Sequence, residues 1–242
     1  MTNDNGSGLG QGVAAVDRAL AIADAIAAGD EPITLAEISR TTGMYKSTIL
    51  RLIGSLQAAG YVQRLRDGRY ALGPAIFRLA VAYERMDPLR QHVLPVLEEL
   101  VRKGSESASF HTLHGPHNRL CLFRVDSSHP TLDRINSGDI LPLERGAAGR
   151  ILMAFSGRDG SDYDALRAQY FALSIGEREA GCAGMASPVF GPEGNLRGAI
   201  SLSGAANRFT PEMISEWQPR LLTAAAEVTR SLGGSYPNLA HP

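Results

Sequence analysis

Residues 34–72 read TLAEISRTTGMYKSTILRLIGSLQAAGYVQRLRDGRYAL. Thr34 and Glu37 have capping-box spacing, in which the threonine hydroxyl and the glutamate carboxylate answer exposed amides at a helix start. A short helix over 35–41 follows, Gly43 supplies a turn, and a second helix runs from about Lys46 to Ala59. It carries Ile49, Ile53 and Leu56 inward, with Leu50 and Leu52 beside that stripe, and Gly60 caps its end. Beyond it, Tyr61-Val-Gln-Arg-Leu-Arg and Arg69-Tyr-Ala-Leu flank Asp67-Gly68, which predicts a two-residue hairpin. Two helices joined at a glycine and followed by a basic hairpin form a winged helix-turn-helix. The first turn of its second helix suits the edges of bases in a DNA major groove.

The charge distribution supports that reading. The chain has 242 residues and a net charge of −1. Yet residues 40–70 hold six basic side chains, Arg40, Lys46, Arg51, Arg64, Arg66 and Arg69, against the single acid Asp67. Lys46, Ser47 and Thr48 can contact phosphate, while Tyr45 and Arg51 are long enough to reach bases or backbone. Arg64, Arg66 and Arg69 on the wing can lie along the phosphates or enter the minor groove, adding affinity with little sequence information. An ordinary helical hairpin with solvated arginines is the bland alternative. The ordered run of helix, helix-turn-helix and basic wing outweighs it.

Upstream, Val13, Val16, Leu20, Ala23 and Ala27 recur at three-and-four spacing, which places them on one face of a helix over 13–28 that Gly29 ends. The first twelve residues are polar and glycine-rich, the composition of a disordered tail rather than a secretory signal. Apolar residues at 44% and charged residues at 20% are ordinary for a globular chain. No apolar run approaches the roughly 18 residues that cross a bilayer. Cys121 and Cys182 are too few for a disulfide framework and lack metal spacing, which suits a reducing cytoplasm.

Downstream, Gly73-Pro74 starts a linker helix on which Ile76, Leu79, Ala80 and Tyr83 can pack to one side. Asp87-Pro88 opens another helix with Leu89, Val93, Leu97, Leu100 and Val101 apolar, and Pro95 predicts a kink or break near Gln91. Residues 108–113 and 119–125 alternate around Gly115-Pro116-His117-Asn118, and residues 183–190 and 196–203 flank a second glycine-rich turn. A last helix starts at Thr210 and Pro211, with Met213, Trp217, Leu221, Ala225 and Val228 as its stripe. Strands mixed with helices give an α+β domain. The expected division is a tail over 1–12, a DNA-binding domain over 13–73, a linker over 74–87 and a larger domain over 88–242.

Several stretches resemble the IclR family of bacterial regulators. In the N-terminal part they are Thr34-Leu-Ala-Glu-Ile, Thr42-Gly-Met-Tyr-Lys-Ser-Thr, Arg51-Leu-Ile-Gly-Ser-Leu and Gly68-Arg-Tyr-Ala-Leu-Gly. In the larger domain they are Leu141-Pro-Leu, Gly146-Ala-Ala-Gly-Arg-Ile-Leu, Gly176-Glu-Arg, Ala186-Ser-Pro-Val-Phe and Ser201-Leu-Ser-Gly. The resemblance implies a GAF-like effector-binding domain, and a dimer or pair of dimers acting on a roughly palindromic double-stranded operator as repressor or activator. Thr34 is counted in the DNA-facing set as well. The resemblance also implies a small organic acid or aromatic catabolite as effector, held by Ala147, Ala148, Gly149, Cys182, Gly184, Ser201 and Ser203. The residues agree in part: small side chains opening a helix let an anion approach its amides, and alternate serines share one strand face. The segment from Ser156 to Ala165 is shorter than is usual in the family.

Metal and cofactor chemistry find no foothold in the sequence. On a strand His111 and His114 face opposite ways and His117 falls in the turn, a poor pattern for zinc. An enzyme built on the larger domain is the alternative, but no metalloprotease, nucleophile-elbow, phosphate-loop or nicotinamide motif occurs. No cofactor, no catalytic residue and no membrane partner is expected.

Overall fold

The computed structural model describes residues 13–29, 31–87, 89–129 and 133–237. The expected tail over 1–12 and the helix start at Pro88 lie outside them. The chain divides between Met86 and Asp87 into two compact units.

The first unit holds α1 (Ala14–Ala27), α2 (Leu35–Thr42), α3 (Lys46–Ala58), β1 (Val62–Arg64), β2 (Tyr70–Leu72) and α4 (Pro74–Met86). Its core is Ile22, Ile26, Ile38, Ile49, Ile53, Val62 and Tyr70. The capping box forms in full, with the Glu37 amide donating to Thr34 Oγ1 at 3.2 Å and the Thr34 amide donating to Glu37 Oε2 at 2.7 Å. Gly43 ends α2 in the left-handed conformation, φ 68°. The tight turn behind it is braced by Ser39 Oγ donating to the Met44 carbonyl and Thr42 Oγ1 donating to the Ile38 carbonyl, both at 2.7 Å.

One expectation fails in this unit, the length of the wing turn, and the apolar faces expected on two helices form without being buried within it. On α1 the buried residues are Ile22, Ala25 and Ile26, whereas Val13, Val16 and Leu20 of the expected stripe are exposed. The helix therefore has two apolar faces, and the one carrying Ile22 and Ile26 covers the core. On α4 no residue is buried: of the expected stripe Ile76 is half-buried, while Leu79, Ala80 and Tyr83 are exposed. The wing turn contains three residues, not two. Arg64 pairs with Tyr70 and the Leu65 amide donates to the Arg69 carbonyl at 2.8 Å, leaving Arg66, Asp67 and Gly68 as the loop. Gly68 supplies the positive φ, 87°, that such a loop needs at its last position. Tyr70 also exchanges two backbone hydrogen bonds with Ile33.

The second unit is a six-stranded antiparallel sheet in the order β5-β4-β3-β8-β7-β6. The strands are β3 (Ser107–His114), β4 (Asn118–Val125), β5 (Ile140–Pro142), β6 (Ala172–Ile175), β7 (Cys182–Phe190) and β8 (Leu196–Ala205). Alternation divides its two faces. On one face Ala108, Phe110, Met185, Ile200 and Leu202 pack against α5 (Leu89–Arg102) and α8 (Pro211–Ser231), whose Val93, Leu97, Trp217, Leu221, Ala225 and Val228 are buried there.

The opposite face carries Ser107, Ser109, His111, Ser201 and Ser203. It is covered by α6 (Ala147–Phe155), with α7 (Ser161–Gln169) packed on α6 in turn. There Leu143, Ala147, Ala148, Ile151, Leu152 and Leu166 cluster with Ala172, Ala186 and Ala199 of the sheet. The short elements β5, β6 and α7 leave no periodic signal long enough to read in sequence. Helix α5 runs through Pro95 as one helix rather than breaking near Gln91. Pro95 and Gln91 are both exposed, so water can satisfy the carbonyl whose helical donor the proline removes.

Candidate functional site

The first candidate surface is the start of α3. Ile49 and Ile53 point into the core and thereby turn Tyr45, Lys46, Ser47 and Arg51 outward, with Thr48 half-buried. Tyr45 is 85% exposed, with its ring turned to solvent. Thr34 caps α2: its hydroxyl donates to Glu37 Oε2 at 2.7 Å and accepts from the Glu37 amide. The bonds from Thr34 to the Glu37 carboxyl, backbone amide first, hold that carboxyl below its ordinary value. The three wing arginines differ. Arg69 is bound to Asp67 at 2.8 Å and reaches Glu31 at 3.7 Å. Arg64 lies 5.9 Å from the centre of the Tyr70 ring, and Arg66 is exposed at the tip.

The second candidate is a small cavity between the first turn of α6 and the serine-bearing sheet face. Counted out to its open mouth, it encloses about 360 Å³ of space not filled by atoms. Ala147, Ala148, Cys182, Gly184, Ser201 and Ser203 line it, together with Arg119, Asp133, Gly146, Ser174, Arg178 and Ala183. Gly149 is not on the wall. A Cβ there would stand 2.1 Å from the Leu143 carbonyl oxygen and 2.7 Å from Arg119 Nη1, so its smallness serves close packing. Ser203 Oγ is buried with no hydrogen-bond partner among the described residues. Asp133 pairs with Arg124 at 2.7 Å and Arg178 at 3.4 Å. Burial raises the Cys182 thiol above its ordinary value, which disfavours a thiolate nucleophile.

The three histidines are not brought together. His111 is buried with Nε2 3.0 Å from Ser109 Oγ, while His114 and His117 are exposed. Burial first, then the charges of Arg119, Arg124 and Arg178, push His111 well below the usual imidazole value.

Both parts of the chain match known protein families. Residues 15–66 match the IclR helix-turn-helix domain, and residues 160–230 match the C-terminal domain of the bacterial transcriptional regulator IclR. The chain belongs to the IclR family. Among relatives of this IclR chain, the glycerol operon regulatory protein of Streptomyces griseus is 28% identical, covering 93% of this chain and 98% of its own. A crystallised IclR transcriptional regulator from Silicibacter sp. TM1040 has a TM-score of 0.75 at 28% identity, covering 93% of this chain and 98% of that one. An IclR homologue from Microbacterium hydrocarbonoxydans, crystallised with 4-hydroxybenzoate, shares the fold with a TM-score of 0.74 at 20% identity, covering 91% and 99%.

This IclR-type chain is thus a transcriptional regulator with a DNA-binding helix-turn-helix and a C-terminal effector domain. Its named relatives are regulatory proteins. Among the described residues no helix is long and apolar enough to cross a membrane. Sequence reasoning missed Arg119, Asp133, Ser174 and Arg178 on the cavity wall. Arg119 had a signal: it is a cation at an inward position of a strand whose other inward residues include Cys121.

Proposed function

We propose that this regulator works in the cytoplasm as a homodimer, or a pair of dimers, on a roughly palindromic double-stranded operator. It acts as a regulator and not as an enzyme. Residues 13–73 form the DNA-binding head, 74–87 the linker and 88–242 the effector domain. Tyr45 and Arg51 reach into the major groove, Lys46, Ser47 and Thr48 contact phosphate beside them, and Arg64, Arg66 and Arg69 hold the backbone. Thr34 supports them by fixing α2. The observation that carries this reading is the outward first turn of α3 above a buried Ile49 and Ile53. A small organic acid or aromatic catabolite in the cavity favours one arrangement of the two heads over another, which is how ligand binding is coupled to DNA affinity.

The test is binding to DNA upstream of the regulator's own gene. Arg51→Ala should cost about 1–3 kcal/mol on the cognate site and little on random DNA, whereas Arg66→Ala should weaken both alike. Equal losses from Arg51→Ala on the two DNAs would remove its reading role. Self-association is supported by Val13, Val16 and Leu20 on or beside α1 and by Phe77, Leu79 and Met86 on α4, all large, apolar and exposed. Leu20→Glu should shift the protein towards monomer in light scattering. An unchanged mass would place the dimer contact elsewhere.

A further inference from the structure

Two residues on the outward face of α3 are explained neither by the core nor by attraction to phosphate. Ser47, Leu50, Arg51 and Gly54 stand at i, i+3, i+4 and i+7 of one helix, which makes them neighbours on one face. All four are exposed. Leu50 keeps 48% of its surface open to solvent, while Ile49 and Ile53 on the other side of the helix are buried. It therefore belongs to the reading face and not to the edge of the core. A single exposed leucine is ordinary on a protein surface. This one stands beside Ser47 and Arg51 on the helix that meets DNA.

Gly54 lies inside α3, where glycine is a poor helix former. The fold does not require it there: a Cβ would meet no described atom within 4 Å beyond its chain neighbours and the helix backbone. This is unlike Gly149, where a Cβ would collide with the Leu143 carbonyl. A helical side chain leans towards the N-terminus and covers the turn before its own Cα. With no side chain at 54, the surface over Leu50 and Arg51 stays open, and a base edge can come close to the helix.

We propose that Leu50 and Gly54 form an apolar notch that takes the 5-methyl of a thymine, so that Leu50 selects that base. The proposal rests on the reading of α3 as the major-groove helix and names one feature that it selects. Among the groups that base pairs present in the major groove, the thymine methyl is the apolar one, beside donors and acceptors. Lys46 and Arg51 on the same helix, with the basic wing, draw a polyanion to this face. That charge makes DNA the occupant rather than a second protein surface.

The experiment uses the full-length protein. Duplexes that bind it are selected from a random pool and sequenced, and each thymine of the enriched half-site is replaced by deoxyuridine, which lacks only the 5-methyl. One such replacement should weaken binding about fourfold, the loss expected for one buried methyl. Leu50→Ala should bind the thymine and uracil duplexes equally. Gly54→Ala should raise Tm, since alanine is the better helix former, and yet bind the enriched site at least about fivefold more weakly, because its methyl crowds the notch. A purely structural role for Gly54 would not move stability and affinity in opposite directions. An enriched half-site without thymine, deoxyuridine without effect at every thymine, or a methyl preference kept by Leu50→Ala would each overturn the proposal. So would Gly54→Ala with wild-type affinity or with a Tm that does not rise. A wild type that enriches no sequence would remove the reading of α3 as the major-groove helix and the notch with it, whereas an enriched site indifferent to thymine methyls would remove the notch alone.

Discussion

Replacing Thr34 by alanine tests whether this residue shapes the reading head or touches DNA. The substitution deletes the acceptor of the Glu37 amide, at 3.2 Å, and the hydroxyl donor to Glu37 Oε2, at 2.7 Å. The Thr34 amide keeps its bond to that carboxylate. Losing an N-cap side chain costs about 1 kcal/mol, within about 0.5–2. Helix α2 has only 8 residues and buries Ile38, so little of that loss can be absorbed by fraying. For a unit of this size the expected fall in Tm is about 4–8 °C. The pH dependence supplies a second readout. Glu37 titrates below its ordinary value in the folded chain. Its contribution is therefore present above the unfolded carboxylate value and lost as pH falls through the folded one. Thr34→Ala should make stability depend less steeply on pH between those two values, with part of the slope kept by the backbone amide. Thermal unfolding followed by circular dichroism across acidic pH measures both effects, and DNA affinity measured well below Tm should stay near wild type. An unchanged Tm together with a large loss of DNA affinity would refute the capping role and make Thr34 a contact residue.

Other outcomes follow from the second unit. Gly149→Ala places a methyl 2.1 Å from the Leu143 carbonyl oxygen, so it should destabilise the effector domain by about 1–3 kcal/mol through overpacking. Denaturant unfolding with an unchanged midpoint would show that the α6 junction yields. Tyr236→Phe removes the 2.7 Å hydrogen bond to Ser187 Oγ while keeping the ring against Tyr170 and Phe190, and should cost about 1 kcal/mol. Burial raises the Tyr236 phenol above its ordinary value, so its stabilisation is lost as pH rises from the unfolded value of about 10 through the higher folded one. The phenylalanine variant should show a shallower alkaline decline in stability, and an identical decline would contradict the buried phenol.

Local chemistry made much of the first unit legible. Thr34, Glu37 and Gly43 act on residues within a few positions of themselves, so the ends of α2 can be read without the rest of the chain. Periodicity likewise assigned Ile49 and Ile53 to the core and, by elimination, the first turn of α3 to the outside. It could not choose between the two apolar faces of α1, because spacing is blind to which face meets Ile38 and Ile49. The loop length of the wing also escaped it. Asp67-Gly68 fits both a two-residue and a three-residue connection, and only the pairing of Arg64 with Tyr70 decides between them.

The helix-turn-helix, the wing, the capped last helix and the serine alternation on β8 were all readable before folding, because each depends on short-range caps, turns or periods. The cavity was not. Arg119 and Ser203 lie far apart in the chain and come to line one cavity only when β4, β3 and β8 align and α6 closes over them. That Gly149 packs while Ala147 and Ala148 line the cavity follows from the direction in which α6 lies on the sheet, and no local pattern encodes that direction.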